Sequence, residues 1–142
     1  MRKLLIAVVL CVMVFSQNVF ANNITVKVNG SVLYSPVPAQ IVNDRTVLPM
    51  RAIFERLGAD VEWIEQERMI FATKDDLFIV MQIDNNKMAV EKIGGEKKTI
   101  ELDTPPFIQE GSTLVPVRAV AESIGAEVNW NGETRTVDIA LK

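Results

Sequence analysis

One segment of the sequence occurs twice, and this repetition constrains the fold more than any other feature of the chain. The copies occupy residues 46–63 and 113–130, at a constant offset of 67. Both read Pro-x-Arg-Ala-x-x-Glu-x-x-Gly-Ala-x-Val-x-Trp, and the match continues to Arg68 and Arg135. Repetition at a fixed spacing is the signature of a repeated structural unit. We therefore expect most of these residues to build a scaffold before they serve any site.

A β-hairpin is predicted before each copy. Residues 24–28 alternate apolar and polar side chains, Asn29-Gly30 supplies the positive φ angles of a tight turn, and residues 31–34 resume the strand. The second hairpin is predicted from residues 89–93, Gly94-Gly95 and 96–102. The start of this hairpin is offset by 65 from the first, whereas the helix motifs are offset by 67. The second hairpin therefore has two additional residues, placed most simply at 96–98.

Prolines after each hairpin are expected to end strand pairing and turn the chain toward a helix. Pro36 and Pro38 follow the first hairpin, and Pro105 and Pro106 follow the second. A short amphipathic helix is then predicted at residues 49–57 and at 116–124, with proline in the first turn and glycine just past the end. The apolar residues recur at helical spacing on one face: Met50, Ile53, Phe54 and Leu57 in the first helix, and Val117, Val120, Ala121 and Ile124 in the second.

Strands are predicted again after each helix, and the run 77–81 is apolar on both faces, which is typical of a central strand that is covered on both sides. Helices of about nine residues are marginal in water, so these two need a sheet to pack on. The sequence thus predicts one α+β domain, an antiparallel β-sheet packed on two short helices. Its two repeats are expected at about residues 24–83 and 89–142.

The N-terminal residues predict a secretory signal peptide. Arg2 and Lys3 precede an apolar run at residues 4–15, and the sequence Val-Phe-Ala ending at Ala21 is a small-residue cleavage signal. The run is shorter than the roughly 20 residues that span a bilayer. We expect cleavage after about Ala21 and a secreted or cell-envelope location, with residues 22–142 as the folded domain. Retention of the signal as an anchor, or lipidation at Cys11, is the alternative.

Cysteine content and charge exclude several classes of function. Cys11 is the only cysteine, so residues 22–142 contain neither disulfides nor thiolate sites. Without Arg2 and Lys3 the 15 basic residues fall to 13 against 18 acidic residues, a net charge of −5. Nucleic acid is therefore not an expected partner.

The paired motifs resemble the copper amine oxidase N-terminal-like domain, a stalk-type module of secreted Gram-positive bacterial proteins. The resemblance covers residues 24–139 and rests on the two Pro-x-Arg-Ala helices and the Gly-Ala-x-Val-x-Trp strands. It implies an antiparallel sheet wrapped on short helices, without catalytic activity. It does not imply copper, because the metal and the quinone cofactor of the oxidase belong to a different domain. The chain also has no histidine from which to build a copper site.

The repeated charged residues predict ion pairs within each helix. Glu55 and Glu122 each follow an arginine, Arg51 or Arg118, by four residues, which places the two charges on the same face. A cation near a helix N-terminus is unfavourable with the helix dipole, so each arginine should have a backbone carbonyl or a carboxylate as partner. Two carboxylates are also what glycoside hydrolysis requires. Catalytic carboxylates, however, need different environments, and repetition favours a structural role.

Trp63 and Trp130, with Tyr34, offer aromatic rings that could stack on sugars if exposed. A Val-x-Trp strand more often buries both side chains on one face. The acidic and amide residues at Asp75-Asp76 and 84–86 do not follow the EF-hand pattern and are expected in turns. No cofactor or metal site is predicted.

Three functions remain open from the sequence. The first is a non-catalytic module of the cell envelope that contacts a cell-wall polymer or an envelope protein. The second is a structural protein that assembles into homo-oligomers through its sheet edges. The third and most remote is a wall-polysaccharide enzyme that uses Glu55 and Glu122. The candidate interaction surface consists of Arg51, Glu55, Trp63, Arg118, Glu122 and Trp130.

Overall fold

The computed structural model describes residues 23–142, and the predicted signal peptide lies outside them. Thirteen strands and two helices follow one another in this part of the chain. The bounds of the first half are β1 (Thr25–Val28), β2 (Ser31–Val32), β3 (Gln40–Val42), β4 (Arg45–Pro49), α1 (Met50–Arg56), β5 (Asp60–Ile64), β6 (Met69–Lys74) and β7 (Leu77–Gln82). Those of the second half are β8 (Lys87–Lys92), β9 (Lys97–Glu101), β10 (Phe107–Gln109), β11 (Ser112–Pro116), α2 (Val117–Ser123), β12 (Glu127–Asn131) and β13 (Thr136–Ala140).

The strands form three small sheets, rather than the single sheet expected, around the two helices. Their strand orders are β12-β13-β1-β2, β10-β11-β4-β3 and β5-β6-β7-β8-β9. Pairing is antiparallel except between β1 and β13, which run parallel. The predicted α+β class with mostly antiparallel strands and two short helices is confirmed.

The sheet with the order β10-β11-β4-β3, which we call the middle sheet, is arranged symmetrically about its central strand pair. β4 and β11 are antiparallel, and Leu48 lies opposite Val115, the residue 67 positions later. The outer strands β3 and β10 are also related by this offset. Corresponding residues of the two halves therefore lie on opposite sides of a local two-fold axis between Leu48 and Val115.

The other two sheets correspond strand by strand, apart from β7. The five-stranded sheet and the four-stranded sheet that contains β1 have matching strand orders. In the first the order is β5, β6, β8 and β9 once β7 is left out, and in the second it is β12, β13, β1 and β2. Without an intervening antiparallel strand, β13 and β1 become direct neighbours, and this explains why they are parallel. The predicted central position of β7 is confirmed.

The prediction that β7 is covered on both faces is wrong. Ile79 and Met81 are buried beneath the helices, whereas Phe78 and Val80 face outward and are half-buried. On that outer face Phe71 and Phe78 pack together, with ring centroids 5.8 Å apart. A strand with apolar side chains on an open face has the same continuous apolar sequence as a strand covered on both faces. The apolar run 77–81 therefore did not distinguish these two environments.

The helices are shorter than expected because each proline ends a strand and caps the helix, instead of forming its first turn. Pro49 and Pro116 are the N-cap residues, with extended backbone angles. The prolines at 36–38 and 105–106 do not lead directly into the helices, because the hairpins β3–β4 and β10–β11 come between. Gly58 and Gly125, just after the helices, have φ angles of 82° and 93° and close the C-terminal ends as predicted.

The predicted apolar helix faces form the centre of the main core. Ile53, Phe54, Val120 and Ala121 have no exposed surface. They pack with the inner faces of the outer sheets, including Ile70, Met81, Val137 and Ile139. A smaller cluster of Val37, Val47 and Leu114 lies on the opposite face of the middle sheet. The helices are thus held by burial on sheets, as their length requires. Within residues 23–142 neither helix is long and apolar enough to cross a membrane.

Candidate ligand-binding grooves

Each repeated arginine ties its helix to the strand that follows. Arg51 Nη1 donates to the carbonyl of Val61 at 3.2 Å, and Arg118 Nη1 donates to the carbonyl of Val128 at 2.9 Å. Both acceptors lie ten residues after the arginine, on the outer edges of β5 and β12. These bonds explain the spacing between the Arg-Ala helix and the Val-x-Trp strand, and they confirm that each arginine has a backbone carbonyl as partner.

The predicted ion pairs within the helices are also present. Arg118 Nη1 lies 3.2 Å from Glu122 Oε1, and Arg51 Nη1 lies 3.7 Å from Glu55 Oε1. About half or more of each side chain is exposed, so each pair contributes only a few tenths of a kcal/mol. The carbonyl bond is therefore the more important contact of each arginine.

We expect Arg118→Ala to lower the free energy of unfolding by about 1 kcal/mol, because it removes a charged hydrogen bond to a strand edge. Glu122→Gln is the matched control, since it removes the ion pair and leaves the carbonyl bond. Its expected loss is below about 0.5 kcal/mol. Urea unfolding measures both, and equal stability of Arg118→Ala and the native protein would contradict the structural role of this arginine.

Two surface grooves lie beside the helices. The first has a volume of about 600 Å³ and the second a volume of about 380 Å³. We name them after their tryptophans. The Trp130 groove is lined by Ile41, Asp44, Arg45, Thr46, Ile100, Glu101, Leu102, Asp103, Pro116, Val117, Arg118, Ala119, Glu122, Val128, Trp130 and Val137. The Trp63 groove is lined by Pro36, Pro49, Met50, Arg51, Ala52, Trp63, Glu65, Ile108, Gly111, Ser112 and Thr113.

The grooves are corresponding sites, and each is built from both halves of the chain. In one, the hairpin β3–β4 contributes Ile41 to a wall opposite Arg118 and Ala119 of α2 and Trp130. In the other, the hairpin β10–β11 contributes Ile108 opposite Arg51 and Ala52 of α1 and Trp63. Ile41 and Ile108 have almost equal exposure, 43% and 45%. The local two-fold axis between β4 and β11 produces this arrangement, because it places each hairpin beside the other half's helix.

The two tryptophans differ in a way that the repeat does not predict. The indole N–H of Trp63 donates to Glu65, and the ring is half-buried against the core. Trp130 is 42% exposed, and its indole N–H has no acceptor within residues 23–142. The position corresponding to Glu65 is Gly132, which has no side chain to reach the ring. The Trp130 groove is also the larger of the two.

The structure divides the predicted interaction surface between the two grooves. Arg118, Glu122 and Trp130 line one groove, and Arg51 and Trp63 line the other. Glu55 pairs with Arg51 but is not among the lining residues of either groove. The expectation that a Val-x-Trp strand buries both side chains holds for Val128 and fails for Trp130. Tyr34, which is 84% exposed, lines neither groove.

No catalytic arrangement of the glutamates is evident in the described chain. Glu55 and Glu122 are exposed, each beside its own arginine, and they do not share a groove. Asp75 and Asp84 have φ angles of 53° and 61° and occupy turns, as predicted. Among residues 23–142, no group of three His, Cys, Asp or Glu side chains could hold a metal ion.

Sequence reasoning missed the hairpins that complete the grooves. Asn43 and Asp44 have φ angles of 50° and 61°, and Glu110 and Gly111 have φ angles of 51° and 75°, which are the turn conformations of two-residue hairpins. The dipeptides Asn43-Asp44 and Glu110-Gly111 carried this signal. The substitution of Gly132 for Glu65 was also readable from the repeat, but its effect depended on the position of the ring.

The fold and the grooves define a small α+β module with surface sites suited to binding and without a recognisable catalytic centre in the described residues. The chain belongs to the copper amine oxidase N-terminal domain family, whose model matches residues 27–140. This family is a non-catalytic module. The residues present do not fit copper, since the chain lacks histidine.

A protein of Brevibacillus choshinensis named "Protease inhibitor" is 27% identical to this chain over 114 residues. The match covers 80% of the present chain and 33% of that protein. The chain thus spans about a third of the length of the curated relative it matches.

Proposed function

We propose that this protein is a non-catalytic binding module of the cell envelope and that the Trp130 groove is its ligand-binding site. The observation that carries the proposal is the exposed ring of Trp130, beside an apolar floor and paired charges at the rim. Binding sites are concave and largely apolar, with a few polar groups that orient the ligand. Exposed tryptophans and arginines are also the residues that contribute most to binding.

The envelope location rests on the signal sequence at residues 1–21. The two halves of the fold are proposed to derive from an internal duplication, because the strand and helix positions recur at the same offset as the sequence. In this account the two grooves began as equal sites. Loss of the glutamate at position 132 then left one ring available to a ligand.

Binding tests this function directly. We expect residues 22–142 to bind either purified cell-wall polymers or an envelope protein, and Trp130→Ala to lose that binding. Trp63→Ala is the matched control, because Trp63 is engaged with Glu65 in the smaller groove. Circular dichroism should first establish that both variants fold. Equal binding by Trp130→Ala and the native protein would place the ligand elsewhere and contradict the proposed site.

A protein ligand has one specific observation in its favour, namely the relative named "Protease inhibitor". Inhibition of proteases by residues 22–142 would assign such an activity to this chain. The absence of inhibition would leave the binding function unchanged, because the chain matches only a third of that relative.

Self-assembly through sheet edges is less well supported. The edge strand β9 carries exposed Lys97, Lys98 and Glu101, and charged side chains on an edge oppose pairing with another strand. The molecular mass should therefore remain that of a monomer over a concentration series. A mass that increases with concentration would favour the assembly alternative.

A further inference from the structure

We infer that the Trp130 groove receives an extended polypeptide segment in which large apolar side chains alternate with Lys or Arg, paired with the free edge of β12. This inference rests on the proposed function and names the class of ligand for the same groove. Three features of the groove support it: a free main-chain edge, an apolar floor and an excess of negative charge.

The edge of β12 beside the groove has free main-chain groups. On the other side of β13, Thr25 and Asn29 of the β1 segment donate to the carbonyls of Arg135 and Ile139. Alternate residues of a strand point their N–H and C=O groups to opposite sides. The main-chain groups of Thr136 and Asp138 therefore point toward β12, where these residues lie opposite Asn131 and Asn129.

Val128 and Trp130 consequently point their main-chain groups away from β13, toward the open edge. The bond from Arg118 to the carbonyl of Val128 confirms this direction. Beyond that carbonyl, the N–H and C=O of Trp130 have no partner within the described residues. An extended peptide that adds to a sheet edge bonds to such groups, whereas a glycan does not offer their alternating pattern.

The floor of the groove is suited to apolar side chains. Val117, Val128 and Val137 are buried at its base, and Ile41 and Trp130 form exposed walls. When an extended segment adds to a sheet edge, every second side chain points to the same face of the sheet, here the face that forms the groove. A large apolar residue at these positions would enter the groove between Ile41 and the indole ring.

The rim carries more negative than positive charge. Its six charged side chains are Asp44, Glu101, Asp103, Glu122, Arg45 and Arg118. Both arginines already have carboxylate partners, Asp103 and Glu122. Asp44 and Glu101 have no cationic partner among the ion pairs of the described chain, although Glu101 accepts a long 3.4 Å bond from the amide of Asn86. The groove thus favours a cationic ligand over an anionic wall polymer.

The test uses residues 22–142 with Trp63→Phe, so that Trp130 is the only tryptophan and its fluorescence reports on the groove. The probes are extended octapeptides in which Leu, Ile, Val or Phe alternates with Lys. The same set is prepared with Glu or Gln in place of Lys, and with N-methylated main chains. Soluble peptidoglycan fragments and chitin oligosaccharides serve as the glycan probes.

We expect members of the Lys set to bind, the Glu set to bind at least tenfold more weakly, and N-methylation to weaken binding by at least tenfold. Asp44→Asn combined with Glu101→Gln should weaken binding of Lys peptides three- to tenfold and leave Gln peptides unaffected. Binding of glycans without binding of any peptide would overturn this inference while retaining the proposed function. A probe that binds equally well to Trp130→Ala, measured by calorimetry because this variant lacks the reporting ring, would contradict the proposed site itself. The absence of binding by every peptide would overturn the inference.

Discussion

Phe54→Ala is expected to lower the free energy of unfolding by about 3–5 kcal/mol, the usual cost of deleting a fully buried phenylalanine side chain. Phe54 has no exposed surface and lies in the main core, on the face of α1 that packs against the sheets. Its removal leaves a cavity that the surrounding strands cannot easily fill. Because small domains are stable by only about 5–15 kcal/mol, this one change should remove a large part of the total.

Two comparisons make this prediction specific to packing. The corresponding residue in α2 is Ala121, which is equally buried. Alanine also has a higher helix propensity than phenylalanine, so a change in propensity does not explain the loss. Phe78→Ala removes the same side chain from the half-buried outer face of β7, and we expect a loss of about 1 kcal/mol. Urea unfolding of the two variants should show this difference, and similar losses would argue that the core is not centred on the helices.

Gly132→Glu should engage the indole N–H of Trp130, make the ring less accessible and weaken ligand binding at least tenfold. Gly132 does not have a positive φ angle, and a Cβ there would lie 3.5 Å from the indole nitrogen of Trp130, which is an ordinary contact. The new carboxylate can therefore accept from the indole N–H as Glu65 does from Trp63. A truncated or blocked aromatic anchor commonly costs 2 kcal/mol or more of binding energy.

The measurement can begin without a ligand. In the Trp63→Phe background, Gly132→Glu should shift the emission of Trp130 and reduce its quenching by acrylamide, because the ring becomes less accessible. Affinity for the best peptide or wall polymer should then fall. Gly132→Gln separates charge from size, since a neutral amide can also accept from the indole N–H but adds no negative charge.

The reciprocal change provides the matched control. Glu65→Gly should release Trp63 and increase its accessibility, with little effect on binding in the Trp130 groove. If Gly132→Glu left both quenching and affinity unchanged, the difference between Glu65 and Gly132 would not account for the unequal grooves.

The sequence predicted the local elements well because their signals are local. Asn29-Gly30 produced its hairpin, the helices begin after Pro49 and Pro116 and end before Gly58 and Gly125, and each arginine pairs with the glutamate four residues later. Turn chemistry and helical periodicity depend on neighbouring residues, which are visible in a linear sequence.

Apart from the two hairpins β3–β4 and β10–β11, which the sequence analysis missed, the errors concern relations between distant segments. The apolar run of β7 did not show which face would remain open, and the Val-x-Trp pattern did not show that Trp130 would stay exposed. Both outcomes depend on what packs against a strand, and the packing partners come from elsewhere in the chain. The parallel pairing of β1 with β13 likewise joins segments more than 100 residues apart.

By itself, the sequence determined most of the elements, the family resemblance and the repetition of motifs in the two halves, because these follow from short motifs and from their fixed offset. Only the tertiary structure decided where the grooves lie and which tryptophan ring is exposed. The antiparallel pairing of Leu48 with Val115 places each hairpin beside the other half's helix, so neither half contains a complete groove. Trp130 stays accessible because Gly132 has no side chain to accept from the indole N–H, as Glu65 does for Trp63. The sequence shows this difference, but only the structure shows that residue 132 lies next to the ring.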